Sequence, residues 1–246
     1  MMLTNKHFII IGAQRSGSTL LYYLLNQHLN ICMAEPLKPE PKYFLRKEIN
    51  YLEYLKKHFP NKKKEHTLLG EKSTSYYESS ETAARIKKIL PKSKIIIILR
   101  DPIYRAISNY YFSKHNNLEK RSLEEVFLEK NYIPDTLSNI STNPYNYLDR
   151  GLYSKHINKY TKLFGIKNIK ILILENLLKE ELEFTKLLTF LRIDSSNSFQ
   201  IYKTIKKINT GNYPKVCKKV LKALTEYYKN PNAELKKNYK VDLQHW

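Results

Sequence analysis

Cysteine is scarce in this 246-residue sequence, and long apolar runs are missing from it. The two cysteines, Cys32 and Cys217, stand far apart without metal-ligand spacing, which argues against a disulfide framework and against a zinc site. Apolar runs such as 95–99 and 169–174 are much shorter than the roughly 20 residues of a membrane-spanning helix. We therefore interpret these runs as buried strands.

Acidic residues are also in short supply, with 23 Asp and Glu against 43 Lys and Arg, so that the formal net charge is +20. This excess fits an anionic partner such as a nucleotide, an acidic glycan, a nucleic acid or a membrane surface. It fits equally well the lysine-, isoleucine- and asparagine-rich composition of an AT-rich genome. Arginine is the rarer base, and Arg15 and Arg100 both fall at the ends of predicted strands, which makes them more informative than any lysine.

No targeting segment is visible at the amino end. A strand-like apolar run begins at Phe8, which leaves no space ahead of it for a charged region, an apolar region and a cleavage site. From this we expect a cytoplasmic protein without a transmembrane segment, with peripheral contact to a membrane as an open alternative.

Strand and helix patterns alternate along the chain. Apolar runs at 7–11, 94–99 and 168–174 are each followed by a helical pattern, and 70–77 is long enough for a further short strand. Such alternation predicts an α/β protein with a P-loop-like three-layer fold, in which helices flank a central parallel sheet. No linker or repeat interrupts the pattern, so we expect one domain over 1–246.

The remaining segments carry helix and loop signals. Helices are expected near 81–90, from Pro102 to about 114, and after the capping-box residues Ser122 and Glu125. The helix after the third strand should reach about 191, and 214–246 looks helical in its first half. By contrast, 131–149 is polar and aperiodic, which is typical of a long loop or lid.

Residues 12–19, Gly-Ala-Gln-Arg-Ser-Gly-Ser-Thr, join the first strand to its helix. A loop of small residues in this position directs backbone N–H groups and a helix N-terminus at one point, which favours anion binding. The spacing of Gly12, Gly17 and Thr19 matches a P-loop, but Ser18 replaces the P-loop lysine and the cation is Arg15 instead. A P-loop that hydrolyses a nucleoside triphosphate and a plain β–α turn stay open as alternatives at this point.

A second basic motif follows the most apolar strand. Arg100 ends that strand, and Ser108 lies about two turns into the next helix. Because an arginine at the carboxyl end of a parallel strand faces the ligand crevice of an open sheet, both side chains are placed to bind an anion. Two anion sites at adjacent strand ends suit a nucleotide that is phosphorylated at both its 5′ and 3′ positions.

Four ordered motifs resemble those of the sulfotransferases that use 3′-phosphoadenosine 5′-phosphosulfate (PAPS). Residues 9–25 resemble the 5′-phosphosulfate loop of that superfamily, and 94–111 its 3′-phosphate motif. Residues 70–77 and 39–44 are similar to segments of the heparan-sulfate-type and bacterial carbohydrate enzymes. Weaker similarity continues over 148–192.

The resemblance implies roles for individual residues. It implies that Glu40 is the general base and that Lys72 and Arg15 assist catalysis at the transferring group. It also implies a set of nucleotide-binding residues, namely Arg15, Ser16, Gly17, Ser18, Thr19, Arg100, Ser108, Gly211 and Tyr213.

The reaction implied is an in-line transfer of a sulfuryl group from PAPS to a hydroxyl or amine of a carbohydrate or glycolipid acceptor. The nucleotide product would be 3′-phosphoadenosine 5′-phosphate (PAP), and neither a metal ion nor a nucleic acid is expected to take part. Two other classes stay open, a P-loop nucleotide kinase or NTPase and a basic nucleic-acid-binding module.

Overall fold

A computed structural model describes residues 6–129, 143–204 and 216–246 of the chain. Its centre is a sheet of five strands in the order β2-β3-β1-β4-β5, and all four neighbouring pairs are parallel. The strands are β1 (Lys6–Gly12), β2 (Ile31–Met33), β3 (Leu68–Lys72), β4 (Lys94–Leu99) and β5 (Ile169–Ile173). The predicted α/β fold with a central parallel sheet is confirmed.

Helices connect the strands and cover the sheet. The α-helices of the described residues are α1 (Ser18–Asn26), α2 (Tyr51–His58), α3 (Ser80–Ile89), α4 (Pro102–His115), α5 (Leu123–Phe127), α6 (Tyr153–Phe164), α7 (Leu174–Lys179), α8 (Glu181–Leu191), α9 (Ser198–Tyr202) and α10 (Lys218–Tyr239). Single 3₁₀ turns occupy Tyr43–Leu45, Thr74–Tyr76, Asp149–Gly151 and Ile166–Asn168.

Both faces of the sheet are buried, which explains the unbroken apolar runs in its central strands. Along β1 and β4, alternate side chains point to opposite faces, as the pleat requires. Ile9 and Ile95 pack in one core with residues of α3 and α6, whereas Ile10 and Ile96 pack in another with residues of α1 and α8. The three-layer arrangement follows directly from this burial on two sides.

A third apolar cluster lies among helices away from the sheet. Ala106 and Ile107 of α4 pack there with Phe127 of α5 and with the buried face of α10. The helix predicted in the first half of the carboxyl-terminal segment is present as α10, and it continues through Pro231 to Tyr239, beyond the predicted half. Packing of one apolar face of α10 stabilises the helix on both sides of the proline, which removes only one backbone donor.

One further predicted element differs in detail, and strand β2 and helices α2, α6 and α9 were missed. The single helix expected after β5 is divided at Glu180 into α7 and α8. Strand β2 was missed because it has only three residues. Helix α2 was missed because it buries only Tyr54 and His58, and so shows little apolar periodicity. The predicted loop at 131–149 falls largely outside the described residues, and the single-domain organisation stays a prediction.

Strand order determines where a site can form. β1 lies between β3 and β4, so the carboxyl ends of these three parallel strands meet at the same edge of the sheet. That edge carries the residues that follow Gly12, Lys72 and Leu99, where open α/β sheets place their ligands.

Candidate active site

The loop after β1 presents an uncapped helix end. Gly17 is the N-cap of α1 with φ 85°, a conformation that favours glycine, and no side chain caps the helix. The first turn also lacks an acidic residue, so its N–H groups and the helix dipole favour an external anion. The buried hydroxyl of Ser16 has no hydrogen-bond partner among the described residues, as expected of a group that a ligand would satisfy.

Arg15 extends from this loop toward α4. Its Nε donates a hydrogen bond to Oγ of Ser108 at 3.1 Å, and its guanidinium lies 5.0 Å from the ring centre of Phe112. The contact therefore joins the two predicted anion-binding motifs, although Arg15 and Ser108 are 93 residues apart in sequence.

Arg100 lies at the carboxyl end of β4, on the same edge of the sheet as the loop after β1. Its backbone carbonyl accepts a 2.6 Å hydrogen bond from the hydroxyl of Tyr153, and its side chain is partly exposed. The next residue, Asp101, caps α4 by accepting from the N–H of Ile103. Desolvation by burial raises the pKa of this Asp101 carboxyl, and the N–H groups of the first turn act against that rise.

Glu40 and Lys72 form a shielded ion pair. Nζ of Lys72 lies 2.7 Å from Oε1 of Glu40, and the two side chains are only 5% and 15% exposed. Thr74 contacts the other carboxylate oxygen twice, because its backbone N–H donates at 2.8 Å and its hydroxyl at 3.0 Å. These contacts fix the carboxylate of Glu40, although the residue itself lies in a loop.

Lys72 also connects Glu40 with the phosphate loop. Its Nζ lies 3.5 Å from the hydroxyl of Thr19, in the first turn of α1. The structure therefore places a carboxylate, an ammonium group and a helix N-terminus side by side. The ammonium group and the helix end can bind an anionic group, and the carboxylate beside them can accept a proton.

Arg150 holds the phosphate loop from the other side. Arg150 is 2% exposed, and its guanidinium donates to the side-chain oxygen of Gln14 at 2.5 Å and to that of Asn109 at 3.1 Å. It also contacts Glu78. Burial lowers the pKa of this arginine, and the charge of Glu78 opposes that effect. Arg150 lies in 148–192, where the family similarity is weaker, and its contact with the loop was not predicted.

Other expectations have different outcomes. Gly211 and Tyr213 lie outside the described residues, so their predicted contact with the nucleotide stays a prediction. Across 6–129, 143–204 and 216–246, no group of three or more His, Cys, Asp or Glu side chains is arranged to hold a metal ion. Within the same ranges, no helix combines the length and the apolar character needed to cross a membrane.

Comparison with known proteins identifies the family. The model of the sulfotransferase domain family matches residues 5–234, and the chain therefore belongs to that family. The family resemblance inferred from the motifs is confirmed. Residues 12–19, 70–77 and 94–111, which carried the inference, all lie within the matched range.

Individual relatives agree with this assignment. Human heparan sulfate glucosamine 3-O-sulfotransferase 3B1 is 26% identical over 92% of this chain and 61% of its own length. A sulfotransferase of Alicyclobacillus acidocaldarius has the same fold, with a TM-score of 0.77, 21% identity and coverage of 99% of both chains. Mouse sulfotransferase SULT7A1, determined in complex with PAP, gives a TM-score of 0.57 and 16% identity over 96% of this chain and 86% of its own. The chain spans less than two thirds of the length of the curated relatives that it matches first.

Proposed function

We propose that this chain is a PAPS-dependent sulfotransferase that moves a sulfuryl group to a hydroxyl or amine of a glycan-type acceptor. Its family membership and its fold support this activity. The residues present fit the donor nucleotide, because the uncapped end of α1 and the two arginines provide positive potential at one edge of the sheet, beside the buried hydroxyl of Ser16.

The observation that supports the proposal most strongly is the position of Lys72. Its ammonium group contacts Glu40 at 2.7 Å on one side and Thr19 of the phosphate loop at 3.5 Å on the other. A cation between a carboxylate and a phosphate-binding helix end is suited to stabilise negative charge on a group that passes between them. A purely structural ion pair has no need of the contact with the loop.

Each residue then has one task in the transfer. Glu40 accepts the proton of the acceptor hydroxyl or amine as the acceptor atom forms its bond to sulfur. Lys72, Arg15 and the N–H groups of α1 stabilise charge on the sulfuryl oxygens and on the oxygen that leaves with the 5′-phosphate. The sulfur–oxygen bond to that phosphate breaks, so PAP and the sulfated acceptor are the products, and the proton is on Glu40.

Each of the two anion-binding motifs would bind a different phosphate of the nucleotide. The loop of residues 15–19 would hold the 5′-phosphosulfate, and Arg100 with Ser108 would hold the 3′-phosphate. The bond from Arg15 to Ser108 supports this division, because it brings the two motifs within reach of one ligand. Gly211 and Tyr213 would complete the site around the adenosine.

A carbohydrate or glycolipid is the acceptor class that the relatives favour, since several of them are named for heparan sulfate. The net charge of +20 is compatible with an acidic glycan. Cytoplasmic location and peripheral membrane contact stay predictions from the sequence. The kinase or NTPase alternative is not favoured, because Ser18 occupies the position of the P-loop lysine. The nucleic-acid-binding alternative is not favoured either, because the family assignment points to sulfuryl transfer.

The proposal is tested by following PAP release and acceptor sulfation together. The protein is incubated with PAPS and a panel of polysaccharides, glycolipids and small alcohols, in buffer with EDTA. We expect acceptor-dependent formation of PAP in a one-to-one ratio with sulfated product. Hydrolysis of ATP with Mg²⁺, without sulfation of any acceptor, would instead support the kinase or NTPase class.

A further inference from the structure

A second carboxylate lies directly beneath the proposed active site and has no role in the transfer. Glu71 precedes Lys72 on β3 and is fully buried. Its carboxylate accepts three hydrogen bonds from hydroxyl groups, those of Tyr76 at 2.5 Å, Ser73 at 2.7 Å and Tyr54 at 2.7 Å. Burial of a carboxylate is costly unless such partners satisfy it, so the arrangement requires a structural or functional reason.

Two of these hydroxyls also hold the loop that carries Glu40. Oγ of Ser73 accepts from the backbone N–H of Lys42 at 2.9 Å. The hydroxyl of Tyr76 accepts from the backbone N–H of Phe44 at 3.0 Å. Each hydroxyl has one proton, and because that proton goes to Glu71, the oxygen is left to accept from the loop. The direction of every hydrogen bond from loop to carboxylate is thereby fixed.

The side chain of Glu40 is held by the same turn. Thr74, which donates to its carboxylate, lies between Ser73 and Tyr76 in the 3₁₀ turn after β3. The backbone two and four residues beyond Glu40 and the carboxylate of Glu40 are therefore anchored to one short segment. Glu71 is the common acceptor within that segment, and chained hydrogen bonds of this kind strengthen one another.

We propose that Glu71, Ser73 and Tyr76 form a positioning relay that sets the place of Glu40 relative to Lys72 and the donor loop. This inference rests on the proposed function, because it assigns the relay to the placement of the general base. None of the three residues touches the transferring group. Their effect on turnover comes through Glu40, whose misplacement by about 1 Å would lower the rate by up to about 100-fold.

Two buried tyrosines offer a matched test. Tyr54 and Tyr76 are both fully buried, and both donate to Glu71. The hydroxyl of Tyr76 also accepts from the loop, whereas the described contact of the Tyr54 hydroxyl is with Glu71. Tyr54→Phe and Tyr76→Phe therefore remove the same chemical group from the same carboxylate, and only Tyr76→Phe releases the loop.

The experiment compares Tyr76→Phe, Ser73→Ala and Tyr54→Phe by three measurements: kcat at saturating PAPS and acceptor, the Kd for PAP, and hydrogen exchange at the amides of Lys42 and Phe44. We expect Tyr76→Phe to lower kcat by about tenfold or more with an unchanged Kd for PAP. Exchange at Phe44 should accelerate in that variant, and exchange at Lys42 in Ser73→Ala. Tyr54→Phe should retain the wild-type kcat and the wild-type exchange at both amides.

Equal kcat values for Tyr54→Phe and Tyr76→Phe, with equal exchange rates at Phe44, would overturn the relay and leave the cluster a packing feature. If one of the two tyrosine variants fails to fold, Ser73→Ala decides the question alone, because it removes the other contact between the relay and the loop, at Lys42. Absence of sulfuryl transfer by the wild type would count against the proposed function. In that case the exchange rates at Lys42 and Phe44 still show whether the relay holds the loop, so the two failures are distinguishable.

Discussion

The two sides of the proposed site are built in different ways. The donor side, formed by residues 12–19 with Arg100 and Ser108, depends on a strand-to-helix turn and on a helix end that no side chain caps. The acceptor side, formed by Glu40, Lys72 and Thr74, depends on side-chain contacts between segments 32 and 34 residues apart. We therefore expect the donor side to act chiefly in nucleotide binding and the acceptor side chiefly in the transfer step. Substitutions on the first should change nucleotide affinity, and substitutions on the second should change turnover.

The largest effect is expected on the acceptor side, at Glu40, the proposed general base. Glu40→Gln keeps the size of the side chain but removes its capacity to accept a proton. We expect kcat to fall by roughly 10²–10⁴-fold, which is the usual contribution of a positioned base. The Kd for PAP should stay at its wild-type value, because the donor side is untouched. Turnover and calorimetric titration with PAP check the two halves of this expectation.

The matched control is Glu48→Gln, which removes an exposed carboxylate a few residues further along the chain. It should retain both turnover and PAP affinity. Near-normal turnover of Glu40→Gln would remove Glu40 from the role of base and would end the proposed division between the two sides.

Protonation of a buried histidine beneath the acceptor side should lower the free energy of unfolding at acidic pH. His7 packs against Tyr51, Tyr54 and Phe59, and desolvation lowers its pKa from 6.5 to about 4. The unfolded chain binds a proton there more readily, so the contribution of His7 to the free energy of unfolding is complete above pH 6.5 and is lost as the pH drops toward 4. A shift of this size corresponds to about 3 kcal/mol over that interval.

Denaturant unfolding at several pH values measures this loss. His7→Gln should reduce the slope of the free energy of unfolding against pH between pH 6.5 and 4. Part of the slope should remain, because burial also lowers the pKa of His58. His115→Gln, at an exposed position, should leave the slope as in the wild type. An unchanged slope in His7→Gln would show that this histidine is not held in its neutral form by burial.

The next largest effect is expected on the donor side, at Arg15. Arg15→Met removes a guanidinium from the 5′-phosphate loop and preserves much of its length. Hydrogen bonds to charged groups contribute about 1.5–3 kcal/mol, so the Kd for PAP should rise roughly 10- to 100-fold. The Kd for adenosine 5′-phosphate should rise to a similar extent, because this ligand has the phosphate that Arg15 would contact.

Arg46→Met is the control for Arg15→Met, since Arg46 is about half exposed and pairs with Glu53 away from the loop. It should bind both nucleotides as the wild type does. Equal affinities of Arg15→Met and the wild type would contradict the placement of the 5′-phosphate in this loop.

The smallest effect is expected at Ser108, and it distinguishes the two phosphates. Ser108→Ala removes a neutral hydroxyl, which should raise the Kd for PAP by about three- to tenfold. Adenosine 5′-phosphate lacks the 3′-phosphate and should bind as before. Ser113→Ala on the same helix removes a hydroxyl that donates to the carbonyl of Pro144, and should change neither affinity. If Ser108→Ala weakened both nucleotides equally, Ser108 would not be specific for the 3′-phosphate.

The same contrast explains what could be predicted from the sequence. The donor side follows from local signals, because glycines, small residues and an apolar strand within about 20 positions predict a phosphate loop. Arg100 and Ser108 were predicted by the same local reasoning, applied to β4 and the helix that follows it. Glu40 and Lys72 were assigned through family resemblance, and their direct contact is a result of the fold.

Other contacts could not be predicted, because they join residues that no local pattern connects. The bonds from Tyr54 and Tyr76 to Glu71 depend on how α2 and the turn after β3 pack together. From sequence alone, a glutamate in a strand is expected to be exposed to solvent. Its burial is evident only in the folded structure, where three hydroxyl groups surround it. Strand β2 and helix α2 were missed for a related reason, since tertiary packing defines them more than local periodicity does.

Calorimetric titration of the wild-type protein in EDTA provides the most direct test of the central claim, that two anion-binding motifs at neighbouring strand ends hold one doubly phosphorylated nucleoside. The ligands are PAP, adenosine 5′-phosphate and adenosine 3′-phosphate. The account predicts saturable binding of PAP without a metal ion, about tenfold or more tighter than either monophosphate. PAP binding that is no tighter than that of adenosine 5′-phosphate, or that requires Mg²⁺, would contradict it.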